Sequence, residues 1–301
     1  MTEPSSTFVH ETVLLQETVD AIAPRSGGLY CDATLGGGGH SQAILERSAP
    51  DGRLIGIDRD PAALAAAKER LAEHGDRVTF VHGAFGDLPQ LLGELGIDRV
   101  DGLVADVGVS SPQIDDPSRG FSFRETGPLD MRMDPTRGPS ALDLIDEQDA
   151  ESLANLIYQY GEERRSRPIA RMILKMRDEG ELETTDDLRR AVVRVAGPKR
   201  GRIDPATRTF QALRIAVNDE LGQLEALVGF AADLLNDDGV VALISFHSLE
   251  DRIVKWAFRG DQALKPLTKK PVQATDEEKA ANPRSRTAKL RAARRLPREA
   301  S

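Results

Sequence analysis

Four consecutive glycines, Gly36-Gly37-Gly38-Gly39, stand between an apolar run ending in Asp32 and a stretch of helical spacing from Ser41 to Arg47. Glycines there let a ligand approach the backbone and aim the first N–H groups of the helix at it. A plain tight turn would use the same residues. Asp58 closes the next apolar run, at roughly the twenty-residue spacing where an acid can take both hydroxyls of a ribose. That arrangement serves NAD and S-adenosylmethionine alike. The dinucleotide fingerprint is not met, because Gly36-x-Gly38-x-x-Ser41 has serine where the third glycine or alanine belongs. Asp60, directly before Pro61, is expected to cap the following helix.

Three further run ends carry chemistry. His82-Gly83-Ala84-Phe85 follows the third run, and Phe85 either lies against an adenine ring or fills the core. Asp106 ends the fourth run, at the edge where open α/β sheets bind ligands. An acid there holds the amine of a cofactor or of a substrate, or caps a helix. His247 ends the last run. It either contacts substrate or belongs to loop structure, since Ser248-x-x-Asp251 is close to a capping box. Gly-x-Ser-x-Gly occurs nowhere, which disfavours a serine hydrolase. The five histidines have no ligand-like spacing, so no metal site is expected.

The elements that must position these residues alternate. Strands are expected at 28–33, 53–58, 77–82 and 100–106, with helices at 41–47, 61–71 and 87–95 between them. This is the pattern of a parallel sheet covered on both faces. The alternation stops at Ser110 to Pro139, a long stretch rich in Gly, Pro, Asp and Ser without a clear period. Helical spacing returns in 141–145, 153–160, 169–176 and 188–195, which reads as a small all-helical insert. One long helix from Thr209 to Leu235 leads to a fifth strand at 239–246. Two weaker strand candidates follow, at 264–268 and 286–292.

The chain of 301 residues has 40% hydrophobic residues, enough for a proper core, and a net charge of -9. No apolar run approaches the ~20 residues of a membrane span, and the polar, acidic N-terminus is unlike a signal peptide. With a single cysteine, Cys31, these features point to a cytoplasmic protein. From Gln262 to Ser301 there are 11 Lys/Arg and 4 Asp/Glu, so this segment carries 11 - 4 = +7 and the remainder -16. Such asymmetry suggests a basic edge on an acidic body, or simply a solvated tail.

Asp32-Ala33-Thr34-Leu35-Gly36-Gly37-Gly38-Gly39-His40-Ser41, Gly56-Ile57-Asp58-Arg59-Asp60-Pro61 and Asp106-Val107-Gly108-Val109-Ser110-Ser111-Pro112-Gln113 resemble the RsmH (formerly MraW) family. Longer blocks at Arg119–Phe123, Gly127–Pro135, Pro205–Ile215 and Ser245–Arg252 extend the resemblance from His10 to about Arg294. It implies a class I methyltransferase fold, a Rossmann-like parallel-type sheet with an inserted all-helical domain. On that basis residues 1–112 and 209–301 would form the core and 113–208 the RNA-recognising insert. It implies S-adenosylmethionine as cofactor, touching Gly38, Gly39, His40, Asp58, Phe85, Asp106 and Gln113. It implies transfer of the methyl group to N4 of a cytosine in the decoding centre of 16S rRNA.

Asp106 and His247 are the catalytic candidates. Amino-methyltransferases of DNA often carry an Asp/Asn-Pro-Pro-aromatic motif after strand four, whereas Ser110-Ser111-Pro112-Gln113 stands here. The acceptors for the cytosine amine are therefore expected to be Asp106 and a backbone carbonyl of the 107–111 loop. Arg119, Arg124, Arg132, Arg137, Lys199, Arg200, Arg202, Arg208 and Arg214 are candidates for phosphate, and Phe121 and Phe123 for stacking a base or filling the junction between domains. A methyltransferase acting on a small molecule or protein amine is the competing reading. The sequence leaves monomer and homodimer both open.

Overall fold

The computed structural model describes residues 12–198, 201 and 204–298. His10, Lys199, Arg200 and Arg202 lie outside them. The chain divides into two compact units. One takes the chain up to Gly108 and from Gln223 onward, and the other takes Val109–Gly222.

The first unit is built on a seven-stranded sheet: β1 (Leu29–Asp32), β2 (Arg53–Asp58), β3 (Val78–His82), β4 (Val100–Asp106), β5 (Leu235–Ser245), β6 (Leu264–Pro266) and β7 (Lys289–Arg295). Their order is β3-β2-β1-β4-β5-β7-β6. The first five pair in parallel, and β7 runs antiparallel to both β5 and β6. This is the Rossmann-like class I methyltransferase arrangement, with one reversed strand inside an otherwise parallel sheet.

Side chains alternate across each strand, and in the central β1, β2, β4 and β5 both faces are buried, which is why these strands read as apolar runs. Cys31, Ile55, Ile57, Leu103, Val241 and Leu243 face one core, closed by α4 (Leu88–Glu94), α11 (Glu220–Phe230) and α12 (Ser248–Gly260). Tyr30, Leu54, Val104, Ala242 and Ile244 face the other, with residues of α1 (Leu15–Ile22), α2 (Gly39–Arg47) and α3 (Pro61–Arg70). As expected, Asp60 caps α3, accepting from Ala62 N–H at 3.0 Å with Pro61 at the first turn. A short helix, α13 (Asp276–Ala281), precedes β7 and was not foreseen; its Glu278 accepts from Leu14 N–H at 2.8 Å.

The second unit holds α5 (Ser111–Asp115), α6 (Ala141–Glu147), α7 (Ala150–Gly161), α8 (Ser166–Asp178), α9 (Thr185–Ala196) and α10 (Thr207–Asn218). It has its own core, with Ile145, Leu153, Ile157, Ile169, Ile173, Leu188, Val192 and Leu213 fully buried. The single helix expected from Thr209 to Leu235 is two. Asp219 takes the left-handed conformation (φ 48°), ending α10, and α11 stops at Phe230 before β5 begins at Leu235. The aperiodic stretch after β4 is ordered by polar side chains gripping backbone. Asn218 donates to Met131 O and accepts from Met133 N, both at 2.7 Å. Arg119 donates to the carbonyls of Arg132 and Met133.

Candidate functional site

In strand order β3-β2-β1-β4-β5 the chain winds outward from β1 on one side and resumes at β4 on the other. The carboxyl ends of β1 and β4 therefore flank the switch point, where open α/β sheets bind ligands. Asp32 ends β1 and Asp106 ends β4. Thr34 links the two ends, its hydroxyl oxygen accepting from Asp106 N–H at 2.6 Å. Asp32 is buried, accepting from Ser41 Oγ–H at 2.7 Å and Thr34 N–H at 3.2 Å. Burial pushes its carboxyl up to about 6, those hydrogen bonds oppose the shift, and the charge of Asp58 adds to it.

Asp106 has less support. Its Oδ1 is occluded and has no hydrogen-bond partner among the described residues. Burial, then the charges of Asp32 and Glu250, push its carboxyl up to about 8. Buried acceptors are nearly always satisfied, so an orphaned carboxylate oxygen at the switch point marks a place for a donor or a cation.

The glycine cluster lies between these acids and α2. Gly38 precedes the first turn of α2 at φ 78°, a conformation that favours glycine. A Cβ on Gly39 would collide with the Thr12 side chain. The first-turn N–H groups of α2 thus open at the end of β1. Asp58, at the end of β2, accepts from Gly36 N–H and Asp60 N–H, both at 2.8 Å. Burial raises its carboxyl above the ordinary value against those two hydrogen bonds. Asp58 therefore shapes the glycine turn besides presenting an acid at the rim.

The other sequence candidates separate. His40 is buried on α2 with Nε2 3.1 Å from Val13 O, so that nitrogen carries the proton. Phe85 packs among the core residues under the sheet. Gln113 belongs to the helical unit, where its Oε1 accepts from Ser110 N–H at 2.9 Å in the capping box of α5. His247 is itself the N-cap of α12, one residue earlier than the near capping box suggested, and Glu250 is its partner. Glu250 is fully buried, and its Oε2 accepts from Phe246 N–H (2.7 Å) and His247 N–H (3.1 Å). Its Oε1 lies 2.9 Å from His247 Nε2 but off the line of a hydrogen bond.

Among the described residues, most of the expected phosphate-binding cations have carboxylate or carbonyl partners. Arg132 pairs with Asp130 (2.6 Å), Arg214 with Glu220 (2.7 Å), and Arg208 lies 3.8 Å from Glu163. Arg137, 77% exposed, lies 3.8 Å from Asp134. Phe123 is edge-on to Phe210 at 4.8 Å, and both it and Phe121 pack onto the core of the helical unit. In the C-terminal segment, Lys289 and Arg291 pair with Asp251, and Arg298 with Asp237. The residues that sequence reasoning passed over are Asp32, Thr34 and Glu250. All three stand in the quoted blocks, but the contact of Thr34 to Asp106 joins the ends of two strands and is not written in local spacing.

A sequence profile described as the MraW methylase family matches residues 7–296. The chain belongs to the MraW methylase family. The ribosomal RNA small subunit methyltransferase H of Sorangium cellulosum (strain So ce56) is 62% identical over 288 residues, 95% of this chain and 91% of that protein. The protein of the same name from Synechococcus elongatus is 52% identical, covering 98% and 97%, and that of Geotalea uraniireducens 49%, covering 97% and 100%. As a member of the MraW methylase family the chain is a methyltransferase, and its glycine turn and strand-end acids lie at the switch point of the sheet. No helix among the described residues is long and apolar enough to cross a membrane.

Proposed function

We propose that the chain transfers a methyl group from S-adenosylmethionine to N4 of a cytosine in the 16S rRNA of the small ribosomal subunit. The observation that carries this reading is Asp106 Oδ1, without a hydrogen-bond partner among the described residues, at the switch point with Asp32 and the opening of α2. The donor set fits a cofactor with a ribose and a positive charge. Asp58 accepts from the ribose hydroxyls, and Gly38, Gly39 and His40 bring backbone N–H groups to the amino-acid end. Phe85 borders the base through its edge of the core. The buried acids favour a cation and exclude an anion.

When bound, the cofactor supplies a methyl group already activated by its attachment to a sulfonium. The residues of the chain hold the nucleophile in line with that group and keep water away. The cytosine amine is a weak nucleophile, because its lone pair is delocalised into the ring. An acceptor such as Asp106 Oδ1 draws the lone pair back onto nitrogen and takes up the positive charge as it develops. The names of the relatives support ribosomal RNA of the small subunit as substrate. Residues 113–208 are proposed as the recognition insert, with the exposed Arg137 to meet phosphate.

The test supplies labelled methyl donor and small subunits from cells lacking the activity, then digests the RNA to nucleosides. Label in N4-methylcytidine is expected. Label in protein, in another nucleoside, or nowhere would refute the assignment. A methyltransferase for small molecules would instead label free acceptors without subunits.

A further inference from the structure

Two buried carboxylate oxygens in the sheet-bearing unit lack hydrogen bonds among the described residues: Asp106 Oδ1 at the end of β4, and Glu250 Oε1 just beyond the end of β5. β4 and β5 are neighbours in register, with Asp106 opposite Ile244. Glu250 is anchored by its other oxygen. Oε2 takes the N–H groups of Phe246 and His247, so the carboxylate is clamped against the first residues after β5. That clamp turns Oε1 toward β4. A Cβ on Gly108, two residues past Asp106, would lie 3.9 Å from Glu250 Oε1. Gly108 has a φ of 111°, which favours glycine. The charges of the two acids also act on each other. A helix cap needs one carboxylate oxygen. The second, fully buried and 2.9 Å from His247 Nε2 but off the line of a hydrogen bond, is costly unless a ligand donates to it.

We propose that Glu250 is the second acceptor of the reacting amine, so that Asp106 Oδ1 and Glu250 Oε1 each take one of the two hydrogens of the cytosine amino group. This rests on the methyl-transfer reading above. It supplies from a side chain what the missing Asp/Asn-Pro-Pro-aromatic motif supplies from a backbone carbonyl. The balance is complete without another reactant. The N4 lone pair forms the bond to the methyl carbon as the bond from carbon to sulfur breaks, and sulfur keeps that pair. N4 then sheds one proton to Glu250 Oε1 and retains the other on Asp106, leaving a secondary amine.

Glu250→Gln is the test, because its amide oxygen can still accept from Phe246 and His247. Single-turnover methylation of small subunits at saturating cofactor should fall by ~10²–10⁴-fold, the usual contribution of a general base. Cofactor affinity by calorimetry should stay within about threefold, and the melting temperature should hold. A wild-type rate, or a loss that recovers at high cofactor, would overturn the proposal while leaving the methyltransferase reading intact. Wild-type enzyme that methylates no subunits would sink both. If Glu250→Gln does not fold, the wild type decides with S-adenosylhomocysteine bound. Cytidine should then bind measurably tighter than N4,N4-dimethylcytidine, which has no amine hydrogen to give. Equal binding would show that no acceptor pair reads the amine.

Discussion

A carboxyl pushed up to about 8, as Asp106 is by burial and by the charges of Asp32 and Glu250, keeps its proton at neutral pH until a cation displaces it. The folded state then binds more protons than the unfolded chain between about pH 4 and the raised value. Stability from this source is complete below about pH 4 and is lost as pH rises toward 8; Asp32, pushed up to about 6, adds the same sign over a narrower window. Thermal melts without cofactor should therefore fall from pH 5.5 to 8.5, and Asp106→Asn should flatten the upper part of that slope. Binding of the positively charged cofactor should release close to one proton near pH 7, read by calorimetry in buffers of different ionisation enthalpy. No buffer dependence would mean that Asp106 is already ionised. For Asp58 the expectation is simpler. Asp58→Ala removes a charged acceptor worth ~1.5–3 kcal/mol, or roughly 10- to 150-fold in cofactor affinity. Its bonds to Gly36 and Asp60 loosen the glycine turn as well, so the upper end is expected. Unchanged affinity would remove Asp58 from the site.

Among the elements, β7 changes the meaning of the basic C-terminal segment. Its residues alternate between paired cations and buried apolar groups, with Leu290 and Ala293 in the core and Arg291 held by Asp251 at 2.7 Å. The charge seen in sequence is that of a strand seated between two others. Deleting the chain after Pro283 should therefore remove the cooperative melt altogether and not merely weaken RNA binding. A truncated protein that still melts cooperatively and binds cofactor would show β7 to be dispensable. The break between α10 and α11 was hidden because apolar spacing continues through Asp219, and periodicity does not register one left-handed residue. Asn218 gives a hint, since Asn-Asp pairs suit helix ends, but its side chain is committed to Met131 and Met133 far back in sequence.

For the molecule as a whole, two compact units, each with its own buried interior, imply two cooperative units. Residues 109–222 bury Ile145, Ile157, Ile173, Leu188 and Leu213 within their own boundaries. Expressed alone, this segment should give a helical circular-dichroism spectrum and a cooperative melt. A featureless melt would show that its core is not self-sufficient.

The sequence by itself determined the alternation of strands and helices, the interruption after β4, the glycine turn and the acids at the ends of β2 and β4, because each is written in local spacing. Family membership followed from blocks that are contiguous in the chain. Tertiary structure alone decided which strand ends meet. Thr34 bridging to Asp106, the reversed β7 between β5 and β6, and Glu250 turning an unmatched oxygen toward Gly108 all join residues far apart in sequence. The physical reason is that an acid's role depends on which donors reach it once the chain is packed. Asp60 finds its donor two residues away and reads as a cap from sequence. Asp106 and Glu250 each keep one oxygen without a hydrogen bond among the described residues, and only the folded arrangement reveals that.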